Sequence, residues 1–144
     1  MRPIQTFQVG LKAFVWHARR LLVVQESDAA ARWELPGGRI DAGEQDAPLA
    51  SVLRRELDEE LGPAFRCVIG APVVCWVRPP EPHRTLPVFL TGFACSDPVG
   101  EIVLSHEHRA HRWITADERA GIAFAPGYAA AVERFLAAAG SLCG

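Results

Sequence analysis

Several signatures are missing from this chain of 144 residues. It has four cysteines, Cys67, Cys75, Cys95 and Cys143, and none is spaced as a CxxC pair or grouped with histidine as a structural zinc site would require. Three of them sit in apolar segments and read as buried free thiols, with Cys143 in the tail. No apolar run approaches the roughly 18–20 residues that cross a bilayer, and "MRPIQTFQVG" lacks the apolar core of a secretory leader. The expectation is a cytoplasmic protein without membrane contact. The formal charge of −2 offers no field to attract nucleic acid. Internal repeats, low-complexity tracts and linkers are absent. His17, His106, His108 and His111 show no zinc spacing beyond a weak His106–His111 cluster.

What is present is ordinary globular material, 49% hydrophobic and 22% charged, enough for one core and a single domain over 1–144. Alternating apolar residues predict a strand over 7–17, with Val9, Leu11, Ala13 and Val15 on one face. A turn at 18–20 and the apolar "LLVVQES" complete a hairpin, and "WEL" reads as a short strand before a turn at Pro36. Two long strands are predicted over 66–77 and 85–95. Pro72 and Pro87 point to edges or bulges. The segment 101–115 starts and ends like strand around a polar middle, and a short helical turn follows. Helices are predicted over 48–61 and 126–140, the second with Tyr128, Val132, Phe135 and Leu136 on its apolar side. Pro48 suits a first helical turn, Asp46 is a candidate cap, and Gly62 and Pro63 stop the helix. The order of elements predicts an α+β fold with helices on a mixed sheet.

The stretch "LPGGRIDAGEQDAPLASVLRRELDEELG" carries the chemistry. At about 100° per residue, Glu56, Glu59 and Glu60 share one side of the first helix, bordering a stripe of Ala50, Leu53, Leu57 and Leu61. Three acids near a helix C-terminus repel one another and oppose the macrodipole. They form either a solvated acidic face or a site for a hard cation such as Mg²⁺ or Mn²⁺. The preceding Pro-Gly-Gly lets backbone approach a ligand closely, and a carbonyl there would be one more hard oxygen.

These residues resemble the Nudix box: Gly38, five residues, Glu44, then Arg55, Glu56, Leu57, Asp58, Glu59, Glu60, Leu61 and Gly62. Two departures stand out. Ten residues rather than seven separate Glu44 from Arg55, and Pro63 replaces a final aliphatic residue. The resemblance implies an α/β/α sandwich around a mixed central β-sheet. It also implies a metal-dependent hydrolase cleaving a diphosphate linkage in a nucleoside diphosphate derivative: a nucleoside triphosphate, a dinucleotide or a sugar nucleotide. A catalytically silent nucleotide-sensing module is the alternative, and prenyl diphosphate isomerisation a more distant one. Implied metal ligands are Glu56, Glu59, Glu60 and the Gly37 carbonyl, for Mg²⁺ or Mn²⁺. The catalytic set is Glu56, Glu59, Arg55 and Glu107, with Glu56 or Glu107 as base and Arg55 orienting carboxylates such as Glu44. Glu107 occupies the family's acidic loop place in "SHEHRAHRWIT". For substrate, Glu44, Trp33 and Arg78 are the candidates, with His83 and Arg84 near the proline-rich loop. The partner is a small nucleotide. Exposed strand edges leave room for a homodimer.

Overall fold

The strand "QVGLKAFVWH", β1 (Gln8–His17), is buried on both faces from Gly10 to Val15. Leu11, Ala13 and Val15 do share one face, as the alternation predicts, but the opposite face is buried as well. Phe14 is as buried as Ala13 and Val15, and Val9 at the strand's start is 40% exposed. The cause is position. In the computed structural model, which describes residues 1–142, β1 is the central strand. It pairs in parallel with β6 (Val88–Val99), from Gln8↔Val88 to Val15↔Cys95, and β6 pairs antiparallel with β5 (Arg66–Arg78). A central strand needs apolar cover on both sides.

The predicted hairpin is present. Ala18 and Arg19 both take positive φ, as a two-residue type I′ turn requires, and β2 (Arg20–Glu26) returns antiparallel. Yet β1 and β2 stay paired only at Trp16↔Leu21 and His17↔Arg20. They then splay. The chain over 33–39 crosses the gap: β3 (Trp33–Glu34) pairs with β2, and β4 (Gly37–Arg39) pairs with β1. The Pro-Gly-Gly is thus not a bare turn. Its glycines enter the sheet, and the Pro36 carbonyl before them accepts the Ala13 N–H at 2.9 Å. A further strand, β7 (His108–Ile114), pairs with β2. The result is a mixed sheet with helices on its two faces, an α+β sandwich.

One face is covered by α1 (Leu49–Leu61), which sets Val52, Leu53, Leu57 and Leu61 against Leu11, Ala13, Val15 and Phe93. The other is covered by α2 (Tyr128–Leu142), where Tyr128, Val132, Phe135 and Leu136 meet Phe14, Leu21, Trp76 and Leu90. Phe14 and Phe135 stack with centroids 4.4 Å apart. Each fully buried leucine or phenylalanine contributes about 1.5–3 kcal/mol, so the two clusters dominate stability. No helix among the described residues is long and apolar enough to cross a membrane.

Several local expectations need correction. Pro48 occupies the N-cap of α1 with no side-chain cap bond, so Asp46 does not cap it. Ala50 is exposed, and Val52 takes the core place assigned to it. Cys75 is exposed, whereas Cys67 and Cys95 are buried as expected; Cys143 lies outside the described residues. The strand expected from residue 85 begins at Val88. Residues 101–105 form no strand. Instead the Val103 and Ser105 N–H groups donate to the Leu61 and Glu60 carbonyls at 2.9 and 3.1 Å. That satisfies the open carbonyls at the end of α1. Gly62 leaves the helix at φ 86°, and Pro72 lies in the edge strand β5 between register shifts, both as predicted. The short helical turn appears as a 3₁₀ segment, Asp117–Gly121.

Gly37 shows how closely β4 approaches β1. Its φ is +130°, and a Cβ there would stand 2.1 Å from the Leu11 carbonyl oxygen. Gly37→Ala is expected to lower unfolding free energy by at least about 1–3 kcal/mol, the scale of one strained backbone position. Urea denaturation followed by circular dichroism checks this.

Candidate active site

A cavity of about 470 Å³ opens between the acidic side of α1 and the splayed region of the sheet. Glu56, Glu59 and Glu60 all line it, together with Gly37, Gly38, Arg55, Arg78 and Glu107. The helix phase read from the sequence therefore delivers the three acids to one place. Their burial differs, because Glu56 and Glu60 lie toward the apolar stripe and are 9% and 4% exposed, while Glu59 stays at the solvent rim.

Gly38 explains the tight approach of strand to helix: a Cβ there would fall 2.3 Å from a Glu56 carboxylate oxygen. One residue earlier, the Gly37 N–H donates to Glu60 Oε2 at 2.8 Å. Burial pushes the Glu60 carboxyl up to about 8, against the pull of Lys12 and His108, and burial raises Glu56 as well. The site thus holds acids that resist ionising until more positive charge arrives.

Arg55 organises the outer rim. Its Nε and Nη2 grip Glu44 at 2.8 and 2.6 Å, a bidentate pair, while Nη1 lies 3.0 Å from Glu56 and 3.2 Å from Glu59. The longer spacer before Arg55 does not carry Glu44 away from that grip. Glu44 itself is not on the cavity wall.

The floor is a charged network that sequence reading missed. Lys12, 6% exposed within the central strand, donates to Glu34 Oε1 at 2.7 Å and to the Gly37 carbonyl at 2.8 Å. Burial opposes its charge, but Glu34 overrides that and raises its pKa. Glu34 shows the reverse balance: burial would raise its pKa, and Lys12 with His108 hold it well below the usual carboxylate range. Arg78 is buried too, facing Glu26 at 3.2 Å, Glu34 at 3.5 Å and Glu81 at 3.1 Å. It reaches the cavity, yet its charge is matched by those carboxylates, so it anchors them rather than standing free for phosphate. A lysine inside the apolar "GLKAFV" was the available signal for this network.

Other candidates sit elsewhere. Trp33 lies off the cavity wall, its ring beneath the Arg112 guanidinium at 5.8 Å and packed on the α2-side core. His83 does not line the cavity; Arg84 does, 3.5 Å from Glu81. Glu107 is exposed at the rim, and its donor oxygen lies within 4.8 Å of those of Glu60 and of a His108 nitrogen, a cluster able to hold a metal ion. Carboxylate oxygens, a nearby carbonyl and a helix end rich in acids fit a divalent cation.

The fold is an α/β/α sandwich with an acid-lined cavity where its sheet splays. The chain belongs to the Nudix family, whose NUDIX domain model matches residues 6–135. In structure it is similar to the E. coli ORF135 protein, at 24% identity over 99% of this chain and 96% of that one, with a TM-score of 0.73. It is similar as well to a MutT protein from Methanosarcina mazei Go1, at 22% identity over 94% of each chain and TM-score 0.71. An ADP-ribose pyrophosphatase from Streptococcus suis matches at 21% identity over 93% of this chain and 92% of that one, with TM-score 0.68. At these identities the likeness is one of fold. In sequence, 39 residues are 51% identical to a Mycobacterium tuberculosis protein named "Putative 8-oxo-dGTP diphosphatase 2", and the match spans 27% of this chain and only 26% of that protein.

Glu26 yields a pH prediction. Burial, and then the charge of Glu34, push its carboxyl up to about 7 in the folded protein from an ordinary 4.5. A raised carboxyl favours the fold while protonated, so its contribution is full below about pH 4.5 and is lost as pH rises through about 7. Glu26→Gln is expected to flatten that part of the stability–pH profile, measured by urea unfolding of the metal-free protein between pH 5 and pH 8.

Proposed function

We propose that this protein is a metal-dependent hydrolase that uses water to cleave a diphosphate linkage in a nucleoside diphosphate derivative: a nucleoside triphosphate, a dinucleotide or a sugar nucleotide. The observation that carries the reading is the buried pair Glu56 and Glu60 on the cavity side of α1, pressed against Gly37 and Gly38. The charge balance of the wall supports it. Eight acidic side chains (Glu26, Asp28, Glu34, Asp41, Glu56, Glu59, Glu60, Glu107) and five cationic ones (Lys12, Arg39, Arg55, Arg78, Arg84) line the wall, and an added cation would let the buried acids ionise and would offset the charge of a polyphosphate.

Glu56, Glu59 and Glu60, with the Gly37 carbonyl, are the proposed ligands of Mg²⁺ or Mn²⁺. Bound there, the cation supplies neutralisation of phosphate oxygens and a lowered pKa for water. Glu56 or Glu107 takes the proton from the water whose oxygen attacks phosphorus, and the bridging oxygen leaves with the departing half. Arg55 holds Glu44 and steadies Glu56 and Glu59, a positioning role. Arg78, on the cavity wall and shared among Glu26, Glu34 and Glu81, is the proposed substrate contact. The same reading treats 1–144 as one domain, working in the cytoplasm on small nucleotides rather than nucleic acid or membrane, with the edge of β5 open to a homodimer. Diphosphate chemistry is also what the names of the Streptococcus and Mycobacterium proteins describe.

A screen of nucleotides with Mg²⁺ or Mn²⁺, read by mass spectrometry of the products, tests this. Glu60→Gln is expected to lower turnover at least about 100-fold, the scale of a lost catalytic group, with the fold nearly intact by circular dichroism. Unchanged metal-dependent turnover in Glu60→Gln would refute the site. Nucleotide binding without turnover by the wild type would instead support the sensing module.

A further inference from the structure

The proposed ligands are all oxygen donors, but the cavity wall also carries an imidazole with unused bonding capacity. His108 opens β7, and its side chain is 3% exposed. Its Nδ1 is buried with no hydrogen-bond partner, which is costly for a polar nitrogen out of water. Its Nε2 faces Glu34 Oε1 at 3.7 Å, beyond hydrogen-bond range. Glu34 is already engaged by Lys12. The ring therefore has one orphaned nitrogen and a carboxylate beside the other. Neither ring nitrogen makes a hydrogen bond, so one can ligate a cation while Glu34, 3.7 Å from Nε2, stands close enough to orient the ring after a small movement.

The partners for such a ligand are at hand. Donor atoms of Glu60, Glu107 and His108 lie within 4.8 Å of one another. Two donors on one first-row cation stand at most about 4.5 Å apart, twice a typical metal–ligand distance, so small side-chain adjustments close the set. The backbone holds the three together independently of any ion. The Ser105 N–H bonds the Glu60 carbonyl, and the His108 N–H returns to the Ser105 carbonyl at 3.3 Å. The loop carrying Glu107 is thereby tied to the end of the acidic helix.

We infer that Glu60, Glu107 and His108 form a mixed nitrogen–oxygen cation position that favours Mn²⁺ over Mg²⁺. This rests on the reading that the cavity holds a divalent cation, and it adds His108 as a ligand and a selectivity for the ion. Imidazole suits transition ions, whereas Mg²⁺ prefers oxygen and keeps its waters. An all-carboxylate site has no such bias. The imidazole ligates only as the free base, so a bound ion takes the place of any proton on the ring.

The test uses the full chain with Mn²⁺ alone and no nucleotide. Pulsed electron paramagnetic resonance should show one histidine nitrogen coupled to Mn²⁺, and ¹⁵N-histidine labelling of the wild type should change that coupling to the ¹⁵N pattern. The labelled wild type needs no substitution, so the result does not depend on how a variant folds. His108→Gln should lose the coupling and weaken Mn²⁺ binding at least about tenfold, the least that losing even an outer partner of a metal ligand costs, with Mg²⁺ binding little changed. Mn²⁺ bound with oxygen coupling only, or a nitrogen coupling that survives in His108→Gln, would overturn the assignment. Because no substrate is present, these outcomes stand apart from the turnover screen: an inactive protein with the nitrogen coupling sinks the hydrolase reading alone, and an active protein without it sinks this one alone.

Discussion

One buried ammonium holds the working part of the molecule in place. Lys12 projects from the central strand into the gap where β1 and β2 separate, and it bonds both Glu34 of β3 and the Gly37 carbonyl that begins β4. A lone buried charge is expensive, and this one is tolerated because a carboxylate and a carbonyl meet it together. That link ties the segment over 33–39 to the central strand where the sheet splays. Gly38 then sits where Glu56 packs onto it, and the Gly37 N–H meets Glu60. The acidic side of α1 thus meets the same short strands that the ammonium holds from the other end.

The same ammonium shapes the electrostatics. It lowers the Glu34 carboxyl and partly counters the burial that raises the Glu60 carboxyl. Floor and helix therefore differ in character. The floor is a closed set of matched charges, in which Arg78 is shared among Glu26, Glu34 and Glu81. The helix side is under-compensated. Positive charge is lacking on the helix side and already supplied on the floor.

What could be read from the sequence depended on whether the deciding neighbour was local. Glu56, Glu59 and Glu60 could be placed on one side of a helix because helical phase is fixed by spacing alone. The Gly38 to Gly62 pattern was legible because its parts lie on one strand–loop–helix unit. The link from Lys12 to Glu34 joins residues 22 apart and exists only because a hairpin splays after two pairs, which no local periodicity announces. Segment 101–105 misled for a related reason. Ile102 and Leu104 are apolar because they pack on the α1-side core, while the backbone between them caps a helix instead of joining a sheet. Asp46 had the chemistry of a cap, but the longer spacer set Pro48 at the cap position.

That spacer has a consequence of its own. Glu44 and Arg55 are joined by two short bonds across a loop that is longer than its family pattern. The two-pronged grip sets the separation of its end points, and the path between them is free to vary at little entropic cost. Ala47 packs against the α1-side core and Pro48 opens the helix, so the freedom lies at Gln45 and Asp46, both exposed. Peptide length added between those two leaves both ends of the grip in place, which makes that peptide bond the place to graft an epitope or a fluorophore beside the cavity and watch what enters it.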